Sequence, residues 1–500
     1  MQIDSAVLDS LGLSDFVRTN ITRWRDRFPP MIVERCLEDS ADLMTEYIKS
    51  AFAGGKSVPS EVLTMPRAGF GPRPVTITDL PSRLLYSAMV AAIDNSLPPS
   101  TRGNRAWDRY QRFGLDQGVE YVVEMDIASC YEYIDHRRLK NELVLRSMNL
   151  DVCTALTNYL GELLNQTRGL PQMLTASDRL ADTYLSILDR KMGRDGYSVR
   201  RYVDDIRVTA QSWEHANLAI EQAAEYARDL GLILSSRKTS IYKQQTLIDQ
   251  QEQDAALFNS HVDAAREALS GIWFVTGYDS MEEIEVTSDE QEAVLAAAWE
   301  ILAEWWDDAK MRGPQVGASS PAQLFINRGL FALREHDKRL PAQMLADIVF
   351  HDPRKIENVV KYLIGRADLR PDERDLRGVS LLTTQGRQSA WAKLWILHAI
   401  ENLASENLRE TGGGGTWVKN QLDDRHEIVR AQAAWLSSLH GWLTSEKLAE
   451  LYKRASPISQ PGLAAAGVRQ GDITQGMISA ITSDSVLNRE AAKWAESTTP

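Results

Sequence analysis

At 500 residues the chain is longer than one hydrophobic core usually serves, so at least two domains are expected. Apolar residues make up 43% and charged residues 25%, as in ordinary globular proteins, and no apolar run nears the roughly 18 residues of a membrane span. The opening MQIDSAVLDSLGL lacks the basic flank and long apolar stretch of a secretory leader, so a cytoplasmic location with no membrane partner is expected.

Cys36, Cys130 and Cys153 form no CxxC pair, which argues against a zinc ribbon or a disulfide framework and for packed thiols. The net charge of −13 is unevenly spread. Residues 1–250 hold 30 Lys and Arg against 33 Asp and Glu, and the remainder holds 26 against 36. Arg67, Arg73, Arg83, Arg102, Arg105, Arg109 and Arg112 form one basic stretch, set against only Asp79, Asp94 and Asp108. Phosphate affinity comes from locally released counterions, so nucleic acid is expected there and not on the acidic second half.

In chain order, residues 1–50 read as two helices, one over 7–17 and one over 31–52, stopped by Gly54-Gly55. Residues 62–76 read as two short strands around a Gly/Pro turn, and 82–94 as a helix. The β-branched run YVVEMDI at 121–127 predicts a strand ending in Asp126. Helices are predicted over 137–148, 177–192 and 213–230, and a hairpin over 198–209 with Asp204-Asp205 at its tip. Residues 232–242 return to extended structure, completing an antiparallel sheet backed by helices. From about residue 250 the pattern is short amphipathic helices separated by Pro, Gly or Asp, without further strands. Trp391, Leu394 and Trp395 share one face, as do Ile428, Trp435 and Leu439, which suits core packing in stacked helical hairpins.

Phosphoryl transfer to a hydroxyl needs charge neutralisation and in-line alignment, which two Mg²⁺ ions on hard carboxylate oxygens provide. Asp126 at a strand end and Asp204 with Asp205 at a hairpin tip are the carboxylates placed for it. A bare Asp-Asp pair would more often be a polar turn. Here Tyr202-Val203-Asp204-Asp205 is the Y-x-D-D box of reverse transcriptase motif C. Upstream, Asp126-Ile127-Ala128-Ser129-Cys130-Tyr131 resembles motif A, and Gly169-Leu170-Pro171-Gln172 with Ser177, Leu180, Tyr184 and Leu185 resembles motif B. Leu230-Gly231-Leu232 with Lys238-Thr239 looks like motif D. The resemblance covers roughly residues 60–245.

That resemblance implies roles for single residues. Asp126, Asp204, Asp205 and the Ile127 carbonyl would hold two Mg²⁺ ions, with Mn²⁺ as a substitute. Tyr131 would be the steric gate that favours dNTPs, and Arg73, helped by Arg67, would grip the triphosphate. Lys238 would protonate the leaving pyrophosphate, and Gln172 would lie near the template or the incoming nucleotide. There are departures: Met173 stands at the motif B glycine, Asp178 follows Ser177 where proline is usual, and Asp182 stands where Asn is common. No primer grip or thumb follows motif D.

With the acidic helical second half, these departures resemble the bacterial abortive-infection reverse transcriptases of the AbiK type. Membership would imply N-terminal helices and fingers over 1–115, a palm over 116–248 and a HEAT-like helical-repeat domain over 249–500. It would also imply untemplated, protein-primed synthesis, a single-stranded DNA product attached covalently to the protein, and a homo-oligomer in phage defence. Two alternatives stand beside it: a conventional RNA-templated reverse transcriptase and a non-catalytic helical-repeat scaffold.

Overall fold

The computed structural model describes residues 1–67, 71–115, 118–249, 298–300, 302–307, 309–310, 321–334, 339–369, 373–403, 414–470 and 473–498. Contacts divide the chain into two units. One comprises Met1, residues 3–11 and residues 86–291; the other comprises Gln2, residues 12–85 and residues 292–500. This division cuts the chain differently from a division by motif.

The first unit is built on a four-stranded antiparallel sheet. Its strands are β3 (Tyr121–Asp126), β4 (Val199–Tyr202), β5 (Asp205–Ala210) and β6 (Ser240–Lys243), in the order β4-β5-β3-β6. Val122, Val123 and Met125 of β3 and Ile206, Val208 and Ala210 of β5 bury the sheet's core. α10 (Thr175–Arg194) buries Leu180, Tyr184 and Leu188, and α11 (Trp213–Asp229) packs on β3 and β5. Ala216, Ala219, Ala223 and Ala227 of α11 are all buried, and side chains this small let a helix lie close to a sheet. Ser212 caps α11 by accepting the His215 N–H at 3.1 Å.

Several elements depart from the sequence expectation. The two N-terminal helices are four: α1 (Ser5–Ser10), α2 (Leu13–Asn20), α3 (Ile32–Arg35) and α4 (Ala41–Ala53). Gly12, at φ +60°, separates α1 from α2, a conformation that ends a helix and that glycine adopts at no steric cost. Three helices were not foreseen, α6 (Asn104–Arg112), α7 (Cys130–Tyr133) and α9 (Leu150–Leu164), and α5 is Leu80–Ala91. The return strand shrinks to β6, with Leu234 adding only an isolated bridge to Ile127.

The second unit joins the hairpin β1 (Glu61–Pro66) and β2 (Pro72–Ile77), with α2, α3 and α4, to the helices after residue 298. Glu61 caps the helix Glu427–Leu439, accepting the N–H groups of Glu427 and Ile428 at 2.9 and 3.3 Å. Ile32 N–H donates to Gln432 Oε1 at 2.8 Å. The Gly462 backbone lies so near α3 that a Cβ there would come within 3.1 Å of both Ile32 and Val33. Trp391, Trp395 and Trp435 are core residues, with Trp391 wholly buried and donating to the Arg27 carbonyl at 2.6 Å. Alternate helices touch in sequence: Ile356–Leu369 packs on Ala390–Leu403, then Glu427–Leu439, Gln460–Arg469 and Val486–Ser497. Among the described residues no strand follows Lys243, and no helix is long and apolar enough to cross a membrane. Cys36, Cys130 and Cys153 are buried free thiols.

Candidate active site

β3 and β5 are in register with Asp126 opposite Asp205, so the last residue of one strand meets the first of the other. Asp126 is buried; Asp204 and Asp205 are half-buried. Asp204 occupies the turn between β4 and β5, and its carbonyl accepts the Ile127 N–H at 3.3 Å, binding the turn to the residue after Asp126. Successive strand residues point to opposite faces, so the turn is what lets neighbouring aspartates serve one place.

Electrostatics mark the cluster as overcharged. Burial, then Asp126, pushes the Asp204 carboxyl up. Burial, then Asp204 and Asp126, pushes Asp205 up to about 7. The near cation is Lys238, whose Nζ donates to Asp126 Oδ1 at 2.8 Å while its chain stays half-exposed. Among the described residues, no three His, Cys, Asp or Glu side chains close into a metal cage. The fit to a hard divalent cation therefore rests on the donor chemistry and on mutual repulsion that such an ion would relieve.

The turn itself is strained and held. Val203, a β-branched residue, sits at φ +58°. Its N–H donates to Thr101 Oγ1 at 3.1 Å, and its carbonyl accepts Arg201 Nη1 at 2.7 Å. Arg201 is buried and paired with Asp189 and Asp182. Asp182, 1% exposed, also accepts the Thr101 hydroxyl at 2.6 Å and its N–H at 3.2 Å. The motif B departure Asn-to-Asp at 182 thus gives Arg201 a second carboxylate beside Asp189. Burial of Tyr110 and Tyr202 with Val203, against Trp107, packs α6 behind the same turn.

Motifs A and B are laced together. Leu170 N–H donates to the Tyr131 carbonyl and Gly169 N–H to that of Ile134, both at 2.8 Å. Gly169 sits at φ +99°, where a Cβ would lie 3.3 Å from Leu164 and 3.6 Å from the carbonyls of Tyr131 and Glu132. Gln172 is half-buried in this loop, and Met173 next to it takes φ +63°, the backbone of the glycine it replaces. Tyr131 lies at the start of α7 (Cys130–Tyr133), and its hydroxyl donates to Asp178 Oδ1 at 2.5 Å and accepts from Arg102 Nη2 at 2.5 Å.

Of the expected site residues, the fold gathers Asp126, Ile127, Asp204, Asp205 and Lys238 at one sheet end, with Tyr131 in α7 and Gln172 on the loop laced to it. Arg73, opposite Met65 in the β1–β2 hairpin, and the exposed Arg67 belong to the other unit. Arg102, Thr101, Asp178, Asp182 and Arg201 were not foreseen. Asp178 and Asp182 had a signal, since both break the motif B pattern.

An antiparallel sheet presenting a strand-end aspartate beside a Y-x-D-D turn is the layout of a polymerase palm. Residues 67–253 match the family profile for reverse transcriptase (RNA-dependent DNA polymerase). Residues 67–253 are thus a reverse transcriptase domain, which indicates a nucleotidyltransferase of the RNA-directed DNA polymerase kind. No curated protein matches the sequence. Among solved structures, a telomerase from Candida albicans, in complex with a TWJ fragment of telomeric RNA, is similar at TM-score 0.29 and 10% identity, over 62% of this chain and 64% of that one. Apo telomerase from Candida tropicalis is similar at TM-score 0.28 and 12% identity, over 74% of this chain and 72% of that one.

Proposed function

We propose that this chain makes DNA from dNTPs without a template, starting from a hydroxyl of the protein itself, as a phage-defence polymerase of the abortive-infection type. Met173 carries this reading. Its backbone takes the left-handed conformation that glycine adopts at no steric cost, and the residue is half-buried next to Gln172. In this reading a side chain where the related motif has none takes space that a templating base would need. The acidic balance of residues 251–500 adds to this, because a long primer–template duplex needs cations along its phosphates.

In this reading Asp126, Asp204, Asp205 and the Ile127 carbonyl hold Mg²⁺. When bound, the metal neutralises developing charge on the attacking and leaving oxygens. Lys238 presents a proton for the leaving pyrophosphate, Tyr131 meets the sugar, and Gln172 faces the nascent pair. A protein-borne hydroxyl removes the entropic cost of capturing a separate primer. The successive contacts of alternate helices after residue 298 support a HEAT-like array, and we read the protein as a cytoplasmic homo-oligomer.

The family's description as RNA-dependent favours a second reading, templated synthesis on RNA with an oligonucleotide primer. One experiment separates the two. Purified protein is incubated with Mg²⁺ and labelled dNTPs, without nucleic acid, then denatured and treated with protease. Label that migrates with protein until protease treatment is the expected result. Label that appears only with added RNA template and primer would return the chain to templated synthesis.

A further inference from the structure

We propose that Asp178 and Arg102 set the sugar preference of the site by locking the Tyr131 ring in place. The inference rests on the reading of Tyr131 as the residue that meets the incoming sugar. A ring excludes an extra 2′ oxygen only if it cannot step aside, and a part-buried aromatic side chain keeps one rotamer best when its polar tip is fixed. Here the tip is fixed twice. Tyr131 Oη donates to Asp178 Oδ1 and accepts from Arg102 Nη2, each at 2.5 Å, and Arg102 Nη2 lies 3.2 Å from the same Asp178 oxygen. The three groups form a closed triangle that ties α7 to α10 and to the segment before α6. Asp178 stands where the related motif has proline, a residue with no side-chain acceptor, so this departure creates the clamp. Burial, followed by Asp178, pushes the Tyr131 phenol well above its ordinary range, so the hydroxyl keeps its proton at neutral pH. Asp178 and Arg102 are thus positioning residues, acting through Tyr131.

The test compares dNTP with ribonucleotide incorporation by the full chain. Asp178→Ala and Tyr131→Phe are each expected to lower the dNTP-to-NTP ratio of kcat/KM by roughly tenfold or more, the worth of one hydrogen bond to a charged group. The change should fall mainly on the ribonucleotide KM. Adding Asp178→Ala to Tyr131→Phe should move the ratio no further, because the hydroxyl it serves is gone. If Asp178→Ala does not fold, Arg102→Gln removes the other arm and is read the same way. A merely structural Asp178 would depress both nucleotides together and leave the ratio unchanged, overturning the proposal. A ratio relaxed by Tyr131→Ala but untouched by Asp178→Ala and Tyr131→Phe would sink the clamp alone. A ratio unmoved by Tyr131→Ala would sink the gate and the clamp together.

Discussion

Asp205 feels burial and two other carboxylates at once, and this makes its chemistry testable. Asp126→Asn, Asp204→Asn and Asp205→Asn each keep the shape and remove a charge. Each is expected to abolish nucleotide incorporation, measured with labelled dNTPs, while the circular dichroism spectrum and melting temperature hold. Near wild-type turnover in any one would remove that residue from the proposed metal set. The pH dependence follows from the raised Asp205 value of about 7. A carboxyl raised on folding favours the protonated form, so its contribution to stability is full at acid pH and is lost as pH climbs toward 7. A bound divalent cation favours the ionised form and must displace that proton. The rise in melting temperature caused by Mg²⁺ should therefore be larger at pH 8 than at pH 6, and Asp205→Asn should flatten the difference. Equal shifts in the wild type at both pH values would contradict the assignment.

At the scale of elements, the β4–β5 turn depends on groups from three segments. Removing Arg201 would leave Asp182 buried without its cation, a loss of about 3–5 kcal/mol for a broken buried pair. Denaturant unfolding of Arg201→Ala should show a loss of that order, and one below about 1 kcal/mol would mean that the turn has other support. Met173→Gly should relieve left-handed strain worth about 1 kcal/mol. If its side chain is what excludes a template, the variant should also gain RNA-directed incorporation, checked by adding a homopolymer template and primer. The strands, α10, α11 and the Y-x-D-D turn were legible because period and β-branching are local signals, read from a few neighbours. The Tyr131–Asp178–Arg102 triangle was not, since its members come from segments 29 and 47 residues away from Tyr131. Asp178 and Asp182 stood out as motif departures, but nothing local said what they faced. α6 and α9 were missed for a related reason. In α6 the arginines drew attention to charge, and Trp107 and Tyr110 gave too short an apolar face to declare a helix.

For the whole molecule, the second unit is assembled from both parts of the chain, with Glu61, Ile32 and Arg27 set into helices more than 300 residues downstream. Trp391→Ala should cost about 3–5 kcal/mol, the usual loss for a buried tryptophan, and an unfolding midpoint near wild type would contradict that packing. A chain stopped after residue 250 would strip residues 12–85 of these partners. It is expected to be poorly soluble and inactive, as judged by size exclusion and dNTP incorporation, and a soluble, fully active fragment would contradict this.

The same assembly imposes an order in time. Residues 12–85 leave the ribosome early, yet the partners of Glu61 and Ile32 are not made until some 350 to 400 residues later. At about 5–20 residues per second, the β1–β2 hairpin and α3 wait roughly 20–80 s before they can dock. The strands and helices from 121 to 243 can pair within that interval, since all their partners are already out. A newborn chain therefore has its carboxylates in place well before the surface that carries Arg67 and Arg73 has anything to rest on, and for that interval Leu63, Met65 and Ile32 are exposed to chaperones and to aggregation.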